Sequence, residues 1–201
     1  MSSKSYTYKD VLYLIEKHTK MNNTEKQRMK TQFWQMFICD AILANRDRHH
    51  GNWGYLSYQG RSIPAPIYDN GGCLFPDVYR VIDQFTSSNE KNFLFKRSEY
   101  FPASLFMITN KEGKIVRSNY YEMLSDLRVN RILAQEVKSI RNNIGYRGIY
   151  NIIQEVVSST NGIIPPIYSR FYIGIVCMRY LHMIERKTLE DSYKTLKRSG
   201  Y

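Results

Sequence analysis

Cysteine is scarce in this 201-residue sequence, which carries only Cys39, Cys73 and Cys177. The three are odd in number, widely spaced and without a C-x-x-C pair. That pattern excludes a disulfide framework or zinc knuckle and fits reduced thiols in a reducing compartment. Cys39 and Cys177 fall inside apolar helical patterns and are expected in the core. Long apolar runs are missing as well. The longest, Phe171 to Met178, lies between Arg170 and Arg179 and is far too short to span a bilayer. No apolar stretch backs the Met-Ser-Ser-Lys-Ser-Tyr start, so no secretory signal is read and a cytoplasmic location is expected. Internal repeats, low-complexity tracts and clear linkers are also absent.

What the sequence does have is positive charge. Lysine and arginine number 29 against 18 acidic residues, giving a net charge of +11 and a pI near 9.5. A positive surface attracts phosphate-bearing ligands, nucleic acid or an acidic protein without selecting among them. The basic residues are spread along the whole chain, as on an ordinary solvated surface. With 43% hydrophobic and 23% charged residues the chain reads as a globular protein. Its length suits one domain with a substantial core or two small subdomains.

The pattern predicts a mainly α protein with small β-hairpins. A short amphipathic helix is expected over Lys9 to Met21. A second, capped by Asn23 or Thr24 with Glu25 in its first turn, runs through Phe33, Trp34, Phe37 and Ile42 and stops at Asn45. Apolar residues cover most of its second half, which should be buried. Trp53 to Tyr58 and Ile63 to Tyr68 read as a hairpin around the Gln59-Gly60 turn, with Pro64 and Pro66 excluding helix. Further helices are expected at Val78 to Thr86, Asn89 to Lys96, Tyr120 to Arg128, Asn130 to Asn142 and Tyr146 to Ser158. A minor hairpin is expected from Leu105 to Val116. Pro165-Pro166 starts a core helix to about Lys187, carrying Tyr168, Tyr172 and Tyr180, and a charged helix closes the chain.

Chemistry concentrates between Asn45 and Gly72. The segment Asn45-Arg46-Asp47-Arg48-His49-His50-Gly51-Asn52 is followed, after the hairpin, by Pro66-Ile67-Tyr68-Asp69-Asn70-Gly71-Gly72. Phosphoryl transfer asks for a carboxylate near the attacking hydroxyl and oxygen ligands that hold magnesium against nucleotide phosphates. Asp47 with Asn52 five residues on has the D-x-x-x-x-N spacing of a kinase catalytic loop. Asp69-x-Gly71 after a strand has that of the second metal-binding element. The first spacing alone is weak, because Asp40 and Asn45 repeat it and Asp40 reads as a plain helix residue. The order of helix, polar loop, hairpin and Asp-x-Gly carries the reading.

These two motifs resemble those of the HipA-like serine/threonine kinases, in particular the compact CtkA-type members. The Asp47-Arg48-His49 run and Gly51-Asn52 are similar, more distantly, to the phosphatidylinositol kinase-like core. The motifs cover about 30 residues, and the helical remainder is compatible with a kinase C-terminal lobe. The resemblance implies that residues 1–201 are a single such lobe, with Asp47 as catalytic aspartate and Asn52 and Asp69 as magnesium ligands. It implies ATP as donor and Ser or Thr hydroxyls of a protein as acceptors, with autophosphorylation a further expectation. His49 would orient the loop, and Arg46 and Arg48 would pair with phosphate, as cofactor-binding residues, or with a carboxylate. A full kinase also needs a Gly-rich loop and a strand lysine upstream. Here the first glycine is Gly51, so no N-lobe is visible. A second polypeptide, a longer parent chain or lost catalysis would each account for that, and an antitoxin-like partner is a further expectation. The stretch from Gly72 to about Thr86 occupies the place of an activation or substrate loop.

Two rival readings remain. His49, His50, Asp47 and Asp69 would be the cluster of a metallohydrolase, although zinc sites usually want a histidine majority and the chain has four histidines in all. An inactive basic module, binding nucleic acid or a protein partner through tyrosines and cations, is the other, although no nucleic-acid-reading element is recognisable.

Overall fold

Thr7 and Asp10 answer each other at the start of the first helix. The Thr7 hydroxyl accepts from the Asp10 N–H while the Asp10 carboxylate accepts from Thr7, a reciprocal box that starts helix α1 (Tyr8–Lys17). The computed structural model describes residues 7–103, 106–110, 112–126 and 130–201. A second box, between Asn22 and Glu25, starts helix α2 (Asn23–Ile42). The cap is therefore Asn22, one residue before the expected Asn23 or Thr24. Glu25 can reach back to the Asn22 N–H only from that register.

The remaining elements are β1 (Tyr55–Tyr58), β2 (Arg61–Pro64), α3 (Glu90–Ser98), β3 (Ile108–Thr109), β4 (Ile115–Val116), α4 (Tyr120–Ser125), α5 (Arg131–Asn143), α6 (Gly145–Ser158), α7 (Pro166–Met183) and α8 (Leu189–Arg198). The fold is mainly helical, and each pair of short strands forms an antiparallel hairpin. Tyr58 pairs with Arg61, so Gln59 and Gly60 form a two-residue turn, both with positive φ as such a turn requires. Strand β2 stops at Pro64, short of the expected Tyr68, because Pro64 and Pro66 cannot donate to a ladder. The expected helix over Val78 to Thr86 is instead two 3-10 turns, Val78–Arg80 and Ile82–Gln84. Of the residues expected in the minor hairpin and in the helix from Tyr120, Leu105, Lys111, Leu127 and Arg128 lie outside the described residues.

The chain divides into two compact units. The first comprises Met1–Ala41, Asn45–Cys73 and Pro102–Glu136. Its core is aromatic. Phe33 meets Trp34 and Phe106 edge-on with centroids 4.9 Å apart, and Phe37 stacks obliquely on Tyr120 at the same distance. Such pairs add about 0.5–1.5 kcal/mol each beyond the area they bury, and here they fix the rotation of α2. That rotation leaves Cys39 exposed, contrary to the core position its apolar neighbours suggested. The β1–β2 hairpin joins α2 through Glu25, whose carboxylate also accepts from the Ser62 N–H at 3.0 Å.

The second unit comprises Ile42–Ala44, Leu74–Phe101 and Val137–Tyr201, with α7 packed against α3, α6 and α8. Helix α7 is buried on nearly all sides from Phe171 to Met183. Tyr180 lies in this core as expected, whereas Tyr168 and Tyr172 are half-buried. Arg179 is wholly buried and donates to the carbonyls of Ile42, Arg97, Ser98 and Tyr100. A cation there answers the orphan carbonyls at the end of α3. Glu90, also buried, ties α3 to Arg170 of α7 and to Tyr193 and Lys197 of α8. No helix among the described residues is long and apolar enough to cross a membrane.

Glu25 generates a pH prediction. The N–H groups of Asn22 and then Ser62 hold its carboxyl below the ordinary carboxylate range. A depressed folded pKa gives stability that is fully present above the unfolded value of about 4.3 and is lost as pH falls through the lower folded value. The melting temperature of the native chain should therefore fall more steeply below about pH 4.3 than that of Glu25→Gln, with the two curves converging in acid.

Candidate functional site

The end of α2 sets the start of the polar loop. Ala44 takes a left-handed conformation (φ 55°), and the Asn45 N–H returns to the Asp40 carbonyl at 2.8 Å. This is the six-to-one bond of a Schellman termination, made here without the usual glycine. Asn45 is fully buried. Its amide nitrogen donates to the Asp40 carboxylate at 2.8 Å, and its amide oxygen accepts from the Asp47 N–H at 3.0 Å. The backbone at Asp47 is thus pinned from the helix end.

Arg48 is the hub. Its guanidinium is completely buried, and all five of its N–H donors have protein acceptors. Nε and Nη2 grip the Asp40 carboxylate at 2.8 and 2.9 Å. Nη1 donates to the carbonyls of Asn52 (2.9 Å) and Tyr68 (2.6 Å), and Nη2 donates also to the Asn70 side-chain oxygen at 2.8 Å. One side chain therefore binds the end of α2, the far end of the 45–52 loop and both neighbours of Asp69. Of the partners expected for Arg48, the carboxylate is the one realised. With every donor engaged, none is left for a nucleotide phosphate. Burial opposes the guanidinium's charge, but the Asp40 carboxylate outweighs it and raises the pKa.

A second tie is steric. A Cβ built on Gly72 would lie 2.8 Å from the Asn45 amide oxygen and 2.9 Å from the Asp47 Cβ, whereas one on Gly71 meets nothing within 4 Å. The Tyr68 hydroxyl adds a bond to the Gly51 carbonyl at 2.8 Å. The segments bearing Asp47 and Asp69 are thus adjacent, tied by three separate contacts. Asp69 has φ 54°, a left-handed conformation that Asp and Asn adopt more readily than most residues.

The donor set matches a hard cation. Asp47 and Asp69 are exposed, and no described group donates to either carboxylate. The Asn52 amide nitrogen points at the Asp47 carbonyl (3.3 Å), leaving its amide oxygen without a donor. Two carboxylates and an amide oxygen are what magnesium prefers. His49 precedes a 3-10 turn (His50–Asn52) and accepts the Gly51 N–H on Nδ1 at 3.1 Å, which fixes the turn. Arg46 is exposed beside Asp47. Among the described residues no three His, Cys, Asp or Glu side chains are grouped to hold a metal, so the proposed hydrolase cluster of His49, His50, Asp47 and Asp69 does not assemble. Cys73 offers no nucleophile, because burial first and the Asp40 charge second push its thiol up to about 12.

The spacing of the sequence singled out Asp47, Asn52 and Asp69, but it missed Asp40, Asn45, Asn70 and Gly72. The signal for Asp40 was a charged residue on an otherwise buried helical stretch, which needs a partner.

No protein-family model matches the chain. It is 34% identical over 154 residues to the serine/threonine-protein kinase CtkA of Helicobacter pylori strain J99, a match covering 76% of this chain and 45% of that protein. The crystal structure of a Helicobacter pylori proinflammatory kinase CtkA superposes with a TM-score of 0.72 and 28% identity, covering 97% of this chain and 63% of that one. The match thus spans less than half the length of the curated relative.

Arg48→Met should destabilise the first unit by about 3–5 kcal/mol, since Asp40 is left buried and uncompensated. A denaturant titration followed by tryptophan fluorescence measures it. Gly72→Ala should cost about 1–3 kcal/mol in the same assay as the loops are forced apart, while Gly71→Ala should stay within about 0.5 kcal/mol of the parent.

Proposed function

The chain being homologous to the serine/threonine-protein kinase CtkA and sharing its fold, we propose that residues 1–201 act as the C-terminal catalytic lobe of a HipA-like kinase. The reaction is transfer of the ATP γ-phosphoryl group to Ser or Thr hydroxyls of a protein. The observation that carries the reading is the saturated Arg48 guanidinium, which ties the Asp47–Asn52 loop to both neighbours of Asp69. A solvated loop rich in turn-forming residues would have no need of a buried cation at its centre.

In this reading Asp47 receives the substrate hydroxyl. Its carboxylate is free of other donors, so it can orient the O–H toward the phosphorus and accept the proton as the new P–O bond completes. Asn52 and Asp69 would hold magnesium, which supplies positive charge where the transferring phosphoryl group and leaving oxygen become more negative. His49 acts on the loop rather than on substrate, through the bond to the Gly51 N–H. Arg46, exposed next to Asp47, is the loop's cation for phosphate. The Gly-rich cover and strand lysine are assigned to polypeptide beyond these residues, because 7–44 are largely two helices and the relative is more than twice as long as the match.

Turnover is to be measured on a polypeptide that adds such a lobe, and Mg-ATP binding by calorimetry on the same protein. Asp47→Ala should lower kcat a hundred- to a thousand-fold, about 3–4 kcal/mol, with the circular dichroism spectrum unchanged. Asp69→Asn keeps the left-handed backbone while removing the charge, and should weaken Mg-ATP binding as well as turnover. Full turnover in the Asp47→Ala protein would defeat the assignment.

A further inference from the structure

Helix α6 lies on the second unit with its inner side against α7 and no fully buried residue. Its outer side is an uncovered apolar ridge. Ile144, just before the helix, and Ile152 and Val156 within it are 42%, 52% and 54% exposed. Gly148 falls on the same ridge, each member four residues from the next. Exposed aliphatic side chains in a row of this kind are a contact surface in want of an occupant. At Gly148 the Ile144 side chain lies over the helix, its Cγ2 2.8 Å from where a Cβ would stand, so the apolar ridge stays unbroken there.

The charges beside the ridge identify the occupant. Arg147 and Glu155 stand four residues before and after Asn151, on the exposed side of the helix. They are too far apart to pair with each other, and no described group pairs with either. Opposite charges placed symmetrically about a helix midpoint are self-complementary. When two such helices cross antiparallel about a two-fold axis at the midpoint, each Arg147 faces the other copy's Glu155, and the reverse pair forms by symmetry. The same axis brings the Ile152 side chains of the two copies close together and aligns Ile144 with the far end of the opposing ridge. A partner of unrelated sequence would have no reason to match this symmetry.

We propose that α6 is the surface through which two copies of this chain pair, antiparallel and two-fold symmetric about Asn151. The aliphatic ridge supplies the adhesion, and the two Arg147–Glu155 pairs set the direction and register. The proposal does not depend on the kinase reading, since no residue of α6 belongs to the candidate site.

Sedimentation equilibrium of the 201-residue chain across the micromolar range tests it. The parent should show a concentration-dependent dimer. Arg147→Glu and Glu155→Arg should each raise the dissociation constant about tenfold or more, because symmetry makes every change felt twice and turns attraction into like-charge repulsion. The double variant carrying both reversals restores opposite charges across the axis and should recover the dimer. That recovery also guards against misfolding as the cause of the single losses. Ile152→Asp should abolish pairing while leaving the helical circular dichroism intact. A parent that is monomeric throughout, a dimer indifferent to the single reversals, or a double variant that stays monomeric would each overturn the proposal.

Discussion

Everything at the candidate site leans on one buried ion pair. Asp40 sits at the end of a helix whose rotation is fixed by Phe33, Trp34 and Phe37, and Arg48 is drawn to it from the loop. A buried pair of this kind is a poor source of net stability, because desolvating two ions consumes most of the Coulombic gain. Its value is geometric. A planar guanidinium with five donors in fixed directions can satisfy five acceptors in only one arrangement of the chains that bear them. The loop with Asp47 and the turn with Asp69 therefore do not choose their separation independently. Each is registered against the same cation.

That arrangement explains how the candidate site was legible and where it was not. The free oxygen donors at Asp47, Asn52 and Asp69 lie in a short, ordered set of motifs that spacing can find. The residues that hold them in place, Asp40, Asn45, Asn70 and Gly72, make contacts across 5 to 22 positions or by close approach, and a one-dimensional pattern does not register these. Asp40 looked like an ordinary helical carboxylate until its burial and partner were visible. Gly71 satisfies the motif, yet the neighbouring Gly72 is where contact forbids a side chain.

The fold shows the same division. Amphipathic periodicity located α1, α2 and α5 to α8 within a few residues, because burial of one face is written directly in the sequence. It overstated the segment after Gly72, where Leu74 and Phe75 take positive φ and the chain settles for 3-10 turns. It also misplaced Cys39. Helical phase, set by which aromatic rings interlock, decides exposure there, and composition around the residue does not.

The molecule carries two kinds of electrostatics that respond differently to their surroundings. The net charge of +11 is spread over solvated side chains, and its reach shrinks to about 8 Å at physiological ionic strength and further in concentrated salt. The Arg48–Asp40 pair is buried, out of reach of counter-ions. Raising the salt concentration thus shortens the range of the surface charge, yet leaves the internal geometry of the loop unaltered. Long-range field and local architecture, in this protein, are separable by ionic strength alone.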